Sequence, residues 1–129
     1  MKYEDAERYF DRTSIIIYNY EGIIKMIESC GDGNIRIWNF HNGNLLKKIE
    51  VSKAYLYSIC LWNDDNLLVA CRDLKIKLVD LKDGLIKKEF EGYNKEVLTI
   101  KKIYHPIFGE CLISQGKYDE QIKLWIVKK

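Results

Sequence analysis

The chain has 129 residues, of which 21 are basic and 19 acidic, so its net charge at pH 7 is only +2. This near balance gives no electrostatic reason to expect a nucleic acid or an anionic membrane as a partner. Hydrophobic residues make up 47% of the chain, which excludes the low-hydrophobicity, high-charge class of disordered proteins. The length suits one domain.

The N-terminal segment comprises residues 1–12 and begins with the charged run MKYEDAER. It lacks the apolar core of a secretory signal, and no later stretch has the roughly 20 apolar residues that span a bilayer. We therefore expect an intracellular protein, cytoplasmic or nuclear. Helix-like spacing of apolar residues predicts a short N-terminal cap, while pairing of residues 7–12 as a closing strand is the alternative.

Residues 13–129 divide into three units of short strands, at 13–51, 52–91 and 92–129. The predicted strands of the first unit are 14–19, 23–30, 34–40 and 45–51. Those of the second are 56–62, 66–72, 75–81 and 85–91. The third offers 97–104, 111–115 and 121–127. Each alternates apolar and polar residues or forms a short apolar run between turns, as strands do.

The third strand of each unit carries the repeat most clearly. The sequences NIRIWN, KIKLVD and QIKLWI occupy residues 34–39, 75–80 and 121–126. Trp38, Val79 and Trp125 hold the same place in them. Asn42-Gly43 and Asp83-Gly84 follow the first two in register, and we predict two-residue hairpin turns there because both favour positive φ.

A unit of about 40 to 45 residues whose third strand ends in Trp-Asp resembles the WD-repeat family. In the first unit the resemblance rests on Ser29, Asp32 and the run from Asn34 to Asn39. The later units supply Asp73, Ile76–Leu78 and Asp80, then Ser114 and Ile122–Trp125. No unit has the family's Gly-His, and Val79 replaces a tryptophan. The family's buried His, Ser/Thr, Asp and Trp network can therefore be only partial here.

The resemblance implies an all-β fold of about three four-stranded antiparallel blades of a β-propeller. Propellers close with four to eight blades, so three form an incomplete arc unless further chain or self-association closes it. An open arc leaves an apolar blade face bare at each end. A homo-oligomer, for instance two arcs in a six-bladed ring, is one way to cover those faces.

No motif in the sequence supports catalysis, a cofactor or a metal. Four cysteines are too widely spaced for metal or redox pairs, and His41 and His105 lack neighbours at ligand spacing. Asp32 and Asp73 hold equivalent turn positions, which favours structural aspartates over an acid/base pair. We expect a protein that is not an enzyme.

The function that follows is a non-catalytic protein–protein interaction scaffold, because propellers bind partners through the loops on their rims. In the family, the turns that enter each unit share a face with those between its second and third strands. This predicts a protein-binding surface consisting of Tyr55, Arg72, Tyr93, Lys117 and Tyr118. The alternative is a purely structural fragment of a larger propeller with no separate binding role.

Overall fold

The computed structural model describes residues 1–3, 11–91, 95–117 and 122–126, and the regular structure in these ranges is β-strand throughout. The first sheet consists of β1 (Arg12–Tyr20), β2 (Ile23–Cys30), β3 (Asn34–Asn39) and β4 (Leu45–Glu50). The second consists of β5 (Leu56–Asn63), β6 (Asn66–Cys71), β7 (Ile76–Asp80) and β8 (Ile86–Phe90). The third consists of β9 (Val97–His105), β10 (Gly109–Gly116) and β11 (Lys123–Trp125).

These sheets are three blades of a propeller, each with its strands in chain order from the inside outward. Every strand pair is antiparallel. The predicted all-β fold of three antiparallel blades is confirmed, and the arc is not closed. Blades 1 and 2 have four strands, whereas blade 3 has three within the described residues. No helix in those residues is long and apolar enough to cross a membrane.

Two hydrophobic cores hold the blades together. The first joins blade 1 to blade 2 and the second joins blade 2 to blade 3. Strand β6 contributes to both, because successive side chains of a strand point to opposite faces of its sheet. Its Leu67, Val69 and Cys71 lie in the first core, and its Leu68 and Ala70 lie in the second. Blade 2 is therefore buried on both faces.

The predicted two-residue turns at Asn42-Gly43 and Asp83-Gly84 are wrong. Each glycine has the expected positive φ, of 76° and 74°, but the strands around it are five residues apart. Asn39 and Asp80 explain the longer turns, because each side-chain oxygen accepts two backbone N–H groups of the turn that follows. The last residue of the repeat hexapeptide thus organises the turn.

A two-residue hairpin instead joins β1 to β2 at Glu21-Gly22. Tyr20 is paired with Ile23, and the two turn residues have φ values of 52° and 82°. This is the type I′ geometry, in which glycine and asparagine are the favoured residues. Glutamate is uncommon at such a position, which is why the sequence pattern did not reveal the turn.

The N-terminal residues lie against blade 1. The Tyr3 ring packs edge-on to Trp38 at 5.9 Å between centroids, and its hydroxyl donates to the Phe40 carbonyl. The Asp11 carbonyl accepts the Gly31 N–H at 2.7 Å, and Arg12 is paired with Cys30. These last two residues therefore extend blade 1. The remainder of the predicted cap or closing strand, residues 4–10, lies outside the described residues.

Candidate interaction surface

The polar network inside the blades fixes the strands that carry the surface loops. In blade 3 the Trp125 indole N–H donates to the Ser114 hydroxyl at 2.8 Å. In blade 1 the Trp38 indole donates to Glu28 at 3.0 Å, and Arg12 donates to the same carboxylate at 2.8 Å. Glu28 thus accepts the tryptophan indole N–H in blade 1, as Ser114 does in blade 3.

Strand register decides which residue is equivalent to Ser114. Trp38 is paired with Met26 and Trp125 with Leu112, so the position two residues further along β2 is Glu28. The sequence match of Ser29 to the family's serine is wrong by one residue. The Ser29 hydroxyl instead bonds to that of Thr13 at 2.7 Å. A shift of one residue places a side chain on the opposite face of the sheet.

Blade 2 replaces the polar pair with an apolar one. Val79 stands at the tryptophan position, and the register places Val69 at the serine position. Both are fully buried in the first core. Since neither side chain has a hydrogen-bonding group, no buried donor or acceptor is left unsatisfied by the substitution.

Asp32 and Asp73 are turn aspartates with ion-pair partners four residues on. Asp32 accepts the Asn34 N–H and pairs with the fully buried Arg36 at 2.7 Å. Asp73 accepts the Lys75 N–H and pairs with Lys77 at 3.1 Å. Burial raises the pKa of Asp32, but the hydrogen bonds from Arg36 and Asn34 outweigh it and lower that pKa below its usual value. Both carboxylates thus brace the turns between second and third strands.

One carboxylate, Glu96, gathers side chains from two blades on the same rim. The Tyr57 hydroxyl donates to it at 2.9 Å, Arg72 approaches it at 3.6 Å and the Lys117 ammonium at 3.8 Å. The Glu96 carbonyl also accepts the Lys117 N–H at 2.7 Å. We call Tyr55, Tyr57, Arg72, Glu96 and Lys117 the Glu96 cluster.

In the Glu96 cluster the carboxylate is largely buried, whereas the two cations are exposed to solvent. The Glu96 side chain is 21% exposed, whereas Arg72 is 64% and Lys117 47% exposed. Burial and the hydrogen bond to Glu96 raise the pKa of Tyr57, so its hydroxyl stays protonated and donates. The most exposed charged side chains of the cluster are therefore its two cations.

Tyr55 is fixed at the edge of the cluster by three contacts. Its ring lies 5.3 Å from that of Tyr57, and its carbonyl accepts the Arg72 N–H at 2.8 Å. Its hydroxyl donates to Asp11 at 2.9 Å. The ring also lies over Gly31, where a Cβ would come within 2.5 Å of it. Only glycine lets the ring lie this close to the turn of blade 1.

The structure thus brings together Tyr55, Arg72 and Lys117 of the five residues proposed from sequence. Tyr93 and Tyr118 lie outside the described residues. Sequence reasoning missed Glu96 and Tyr57. The two-residue spacing of Tyr55 and Tyr57 at the start of a strand was a usable signal, but nothing local marks Glu96 as the residue they share.

A cleft of about 370 Å³ lies between blades 1 and 2. Several of the polar groups that line it bond to one another or to backbone: Tyr20 donates to Asp65, Lys82 pairs with Asp65, and Lys47 donates to the Leu81 carbonyl at 3.2 Å. The Tyr20–Asp65 and Lys47–Leu81 contacts cross from blade 1 to blade 2, whereas Lys82 and Asp65 both belong to blade 2. The cleft is therefore best explained as part of the joint between blades.

The cysteines do not form a reactive site. Cys30, Cys60, Cys71 and Cys111 are buried and free. Burial raises the pKa of the Cys71 thiol to about 12 and that of Cys30 to about 11, which disfavours the thiolate needed for nucleophilic chemistry. Within the described ranges, no three His, Cys, Asp or Glu residues are grouped to hold a metal ion.

Comparison with known proteins agrees with this architecture. No protein-family model matches the chain. The U3 small nucleolar RNA-associated protein 21 homolog of Schizosaccharomyces pombe is 27% identical over 67% of this chain and 9% of its own length. F-box/WD repeat-containing protein 10 of Mus musculus is 42% identical over 41% of this chain and 5% of its own length.

The chain therefore spans less than a tenth of the length of either relative. Among solved structures, that of U3-55K superimposes with a TM-score of 0.74 at 16% identity, covering 93% of this chain and 37% of that one. That neighbour is a WD40 propeller. The fold is that of consecutive WD-type propeller blades.

Proposed function

We propose that this chain is a non-catalytic protein-interaction scaffold whose contact surface is centred on the Glu96 cluster. One observation carries the proposal: a single half-buried carboxylate holds a tyrosine from strand β5 and two exposed cations from separate turns on the rim. Tyrosine and arginine dominate the energetics of many protein interfaces. Their fixed positions reduce the entropy lost on binding.

We infer an acidic partner segment from the two exposed cations of the cluster. Arg72 can bind a carboxylate through two parallel hydrogen bonds, which lysine cannot do, and the rings of Tyr55 and Tyr57 offer an apolar floor beside it. Binding should then weaken as salt is added, because exposed charges are screened. The names of the mouse and fission yeast relatives, which refer to WD repeats and to a small nucleolar RNA-associated protein, support an intracellular scaffold.

The test is co-purification with quantitative mass spectrometry, comparing the wild-type chain with Arg72→Glu and Lys117→Glu. The matched control is Lys87→Glu, a charge reversal of a 48% exposed lysine on the outer strand of blade 2. A partner retained by the control and lost from both cluster variants supports the proposal. For a single hot-spot residue, we expect the dissociation constant to rise about 30-fold.

The alternative role, a purely structural propeller fragment, makes the opposite prediction. A fragment with no binding role of its own would have the same set of co-purifying proteins in the wild type, both cluster variants and the control. That result would overturn the proposed function.

A further inference from the structure

The cleft in the joint between blades 1 and 2 contains polar groups that the joint itself does not use. Tyr18, Lys25 and Asp64 line the cleft, and none of the three makes a hydrogen bond or an ion pair within the part of the chain that the structure describes. The Lys25 ammonium lies 5.3 Å from the centroid of the Tyr20 ring, a contact that leaves its N–H groups without an oxygen acceptor. All three side chains can therefore still bond to a ligand.

The three groups come from both walls of the cleft. Tyr18 and Lys25 are paired on β1 and β2 of blade 1, and Tyr18 packs on the core that joins blade 1 to blade 2. Asp64 lies in the turn between β5 and β6 of blade 2. Burial raises the pKa of Tyr18, and nearby acidic groups, Asp64 among them, raise it further, so the hydroxyl stays protonated and can donate. One wall therefore offers two donors and the other a carboxylate acceptor.

The rest of the lining suits a small molecule with an apolar body. The cleft volume of about 370 Å³ falls within the range of small-molecule sites. Ile37 and Leu81 line the cleft and are 4% and 8% exposed, and Leu46, which lines it too, is 48% exposed. The cleft thus combines apolar contacts with one cationic and one anionic group that the joint does not use.

We propose that this cleft binds a small zwitterion of the α-amino-acid class, with its ammonium on Asp64 and its carboxylate on Lys25 and Tyr18. A ligand with a single charge would form one ion pair and leave the other charged group of the cleft without a partner. A zwitterion forms charge-assisted hydrogen bonds with both at once. An apolar ligand side chain would lie against Leu46 and Leu81.

This site is separate from the Glu96 cluster. Tyr57 of that cluster is near the start of β5, whereas Asp64 follows the end of the same strand. The two sites therefore lie on opposite rims, and the result of the partner test at Arg72 and Lys117 does not bear on the cleft.

The experiment is a nuclear magnetic resonance titration of the full isotope-labelled chain with three probes that share one apolar body. L-leucine carries both charges, isoamylamine lacks the carboxylate and isocaproate lacks the ammonium. We expect leucine to shift the amide resonances of the residues that line the cleft. It should bind about tenfold more tightly than either singly charged probe, because each of those loses one charge-assisted hydrogen bond.

Two variants assign the charges. Asp64→Asn should weaken leucine binding about tenfold and leave isocaproate binding unchanged. Lys25→Met should weaken leucine binding to the same extent and leave isoamylamine binding unchanged. Unchanged binding of one probe also shows that each variant is folded. The matched control is Lys53→Met, at a lysine whose side chain is 94% exposed, and it should bind all three probes as the wild type does.

Three results would each overturn the proposal. The first is no shift of the cleft resonances with leucine at about 10 mM, a concentration high enough to detect weak binding by a ligand of this size. The second is equal binding of the three probes. The third is a variant that weakens all three probes alike, because a loss of that kind reports a change in the fold rather than the removal of one charge.

Discussion

Replacing Glu28 with alanine tests the polar network of blade 1. The Glu28 side chain is 1% exposed and accepts hydrogen bonds from the Trp38 indole at 3.0 Å and from Arg12 at 2.8 Å. Alanine removes both acceptors. Trp38 is fully buried, so its indole N–H would be left without a partner in an apolar environment.

The expected loss of stability follows from these contacts. A buried donor left unsatisfied costs about 1–3 kcal/mol. The Arg12 side chain is 43% exposed, so solvent screening limits the loss of its ion pair to less than about 1 kcal/mol. We therefore expect Glu28→Ala to lower the free energy of unfolding by roughly 2–3 kcal/mol, a fall in Tm of roughly 10 °C for a chain of this length.

The assay is thermal unfolding followed by circular dichroism at one fixed protein concentration, because association would shift Tm. Glu28→Ser should recover most of the loss, since the equivalent Ser114 already accepts an indole N–H in blade 3. Glu50→Ala, at a 57% exposed surface glutamate, is the control and should change stability by less than about 0.5 kcal/mol. An alanine variant as stable as the control, or a serine variant no better than alanine, would refute the reasoning.

Two further predictions concern turns. Glu21→Asn should raise the free energy of unfolding by about 0.5–1 kcal/mol, because asparagine tolerates the φ of 52° in this type I′ turn better than glutamate, and a lower Tm would contradict this. For Asp32, the lowered pKa of the folded state means that its contribution is present above pH 3.8 and is lost as pH falls through the folded-state value. The stability difference between wild type and Asp32→Asn, measured by urea unfolding, should therefore shrink below pH 3.8; a constant difference would falsify it.

The sequence predicted the blades because their signals are local. Alternating apolar residues and the repeated hexapeptide are each recognised from a few neighbouring residues. The structure has strands at the positions of these patterns. The turn at Asn42-Gly43 shows the limit of such reasoning. Its glycine conformation was predicted correctly, but the turn length depends on the Asn39 side chain, which accepts backbone N–H groups from within the turn.

The candidate surface depends on contacts that no local pattern encodes. Glu96 contacts Tyr57 of β5, 39 positions earlier, and Arg72 in the turn between β6 and β7. These contacts form only because blade 3 packs on blade 2. The placement of Glu28 rather than Ser29 beside Trp38 likewise depends on register, which residue type alone misassigned.

Strand β6 has a consequence for how the arc unfolds. Propeller blades are repeats, and repeat arrays can lose their units one at a time when neighbours are weakly coupled. Here the side chains of the single strand β6 point alternately into the first and the second core. Unfolding β6 therefore removes packed side chains from both cores. Blade 2 therefore couples the other two blades. Blades 1 and 3 should unfold together in one cooperative transition rather than separately from the ends of the arc.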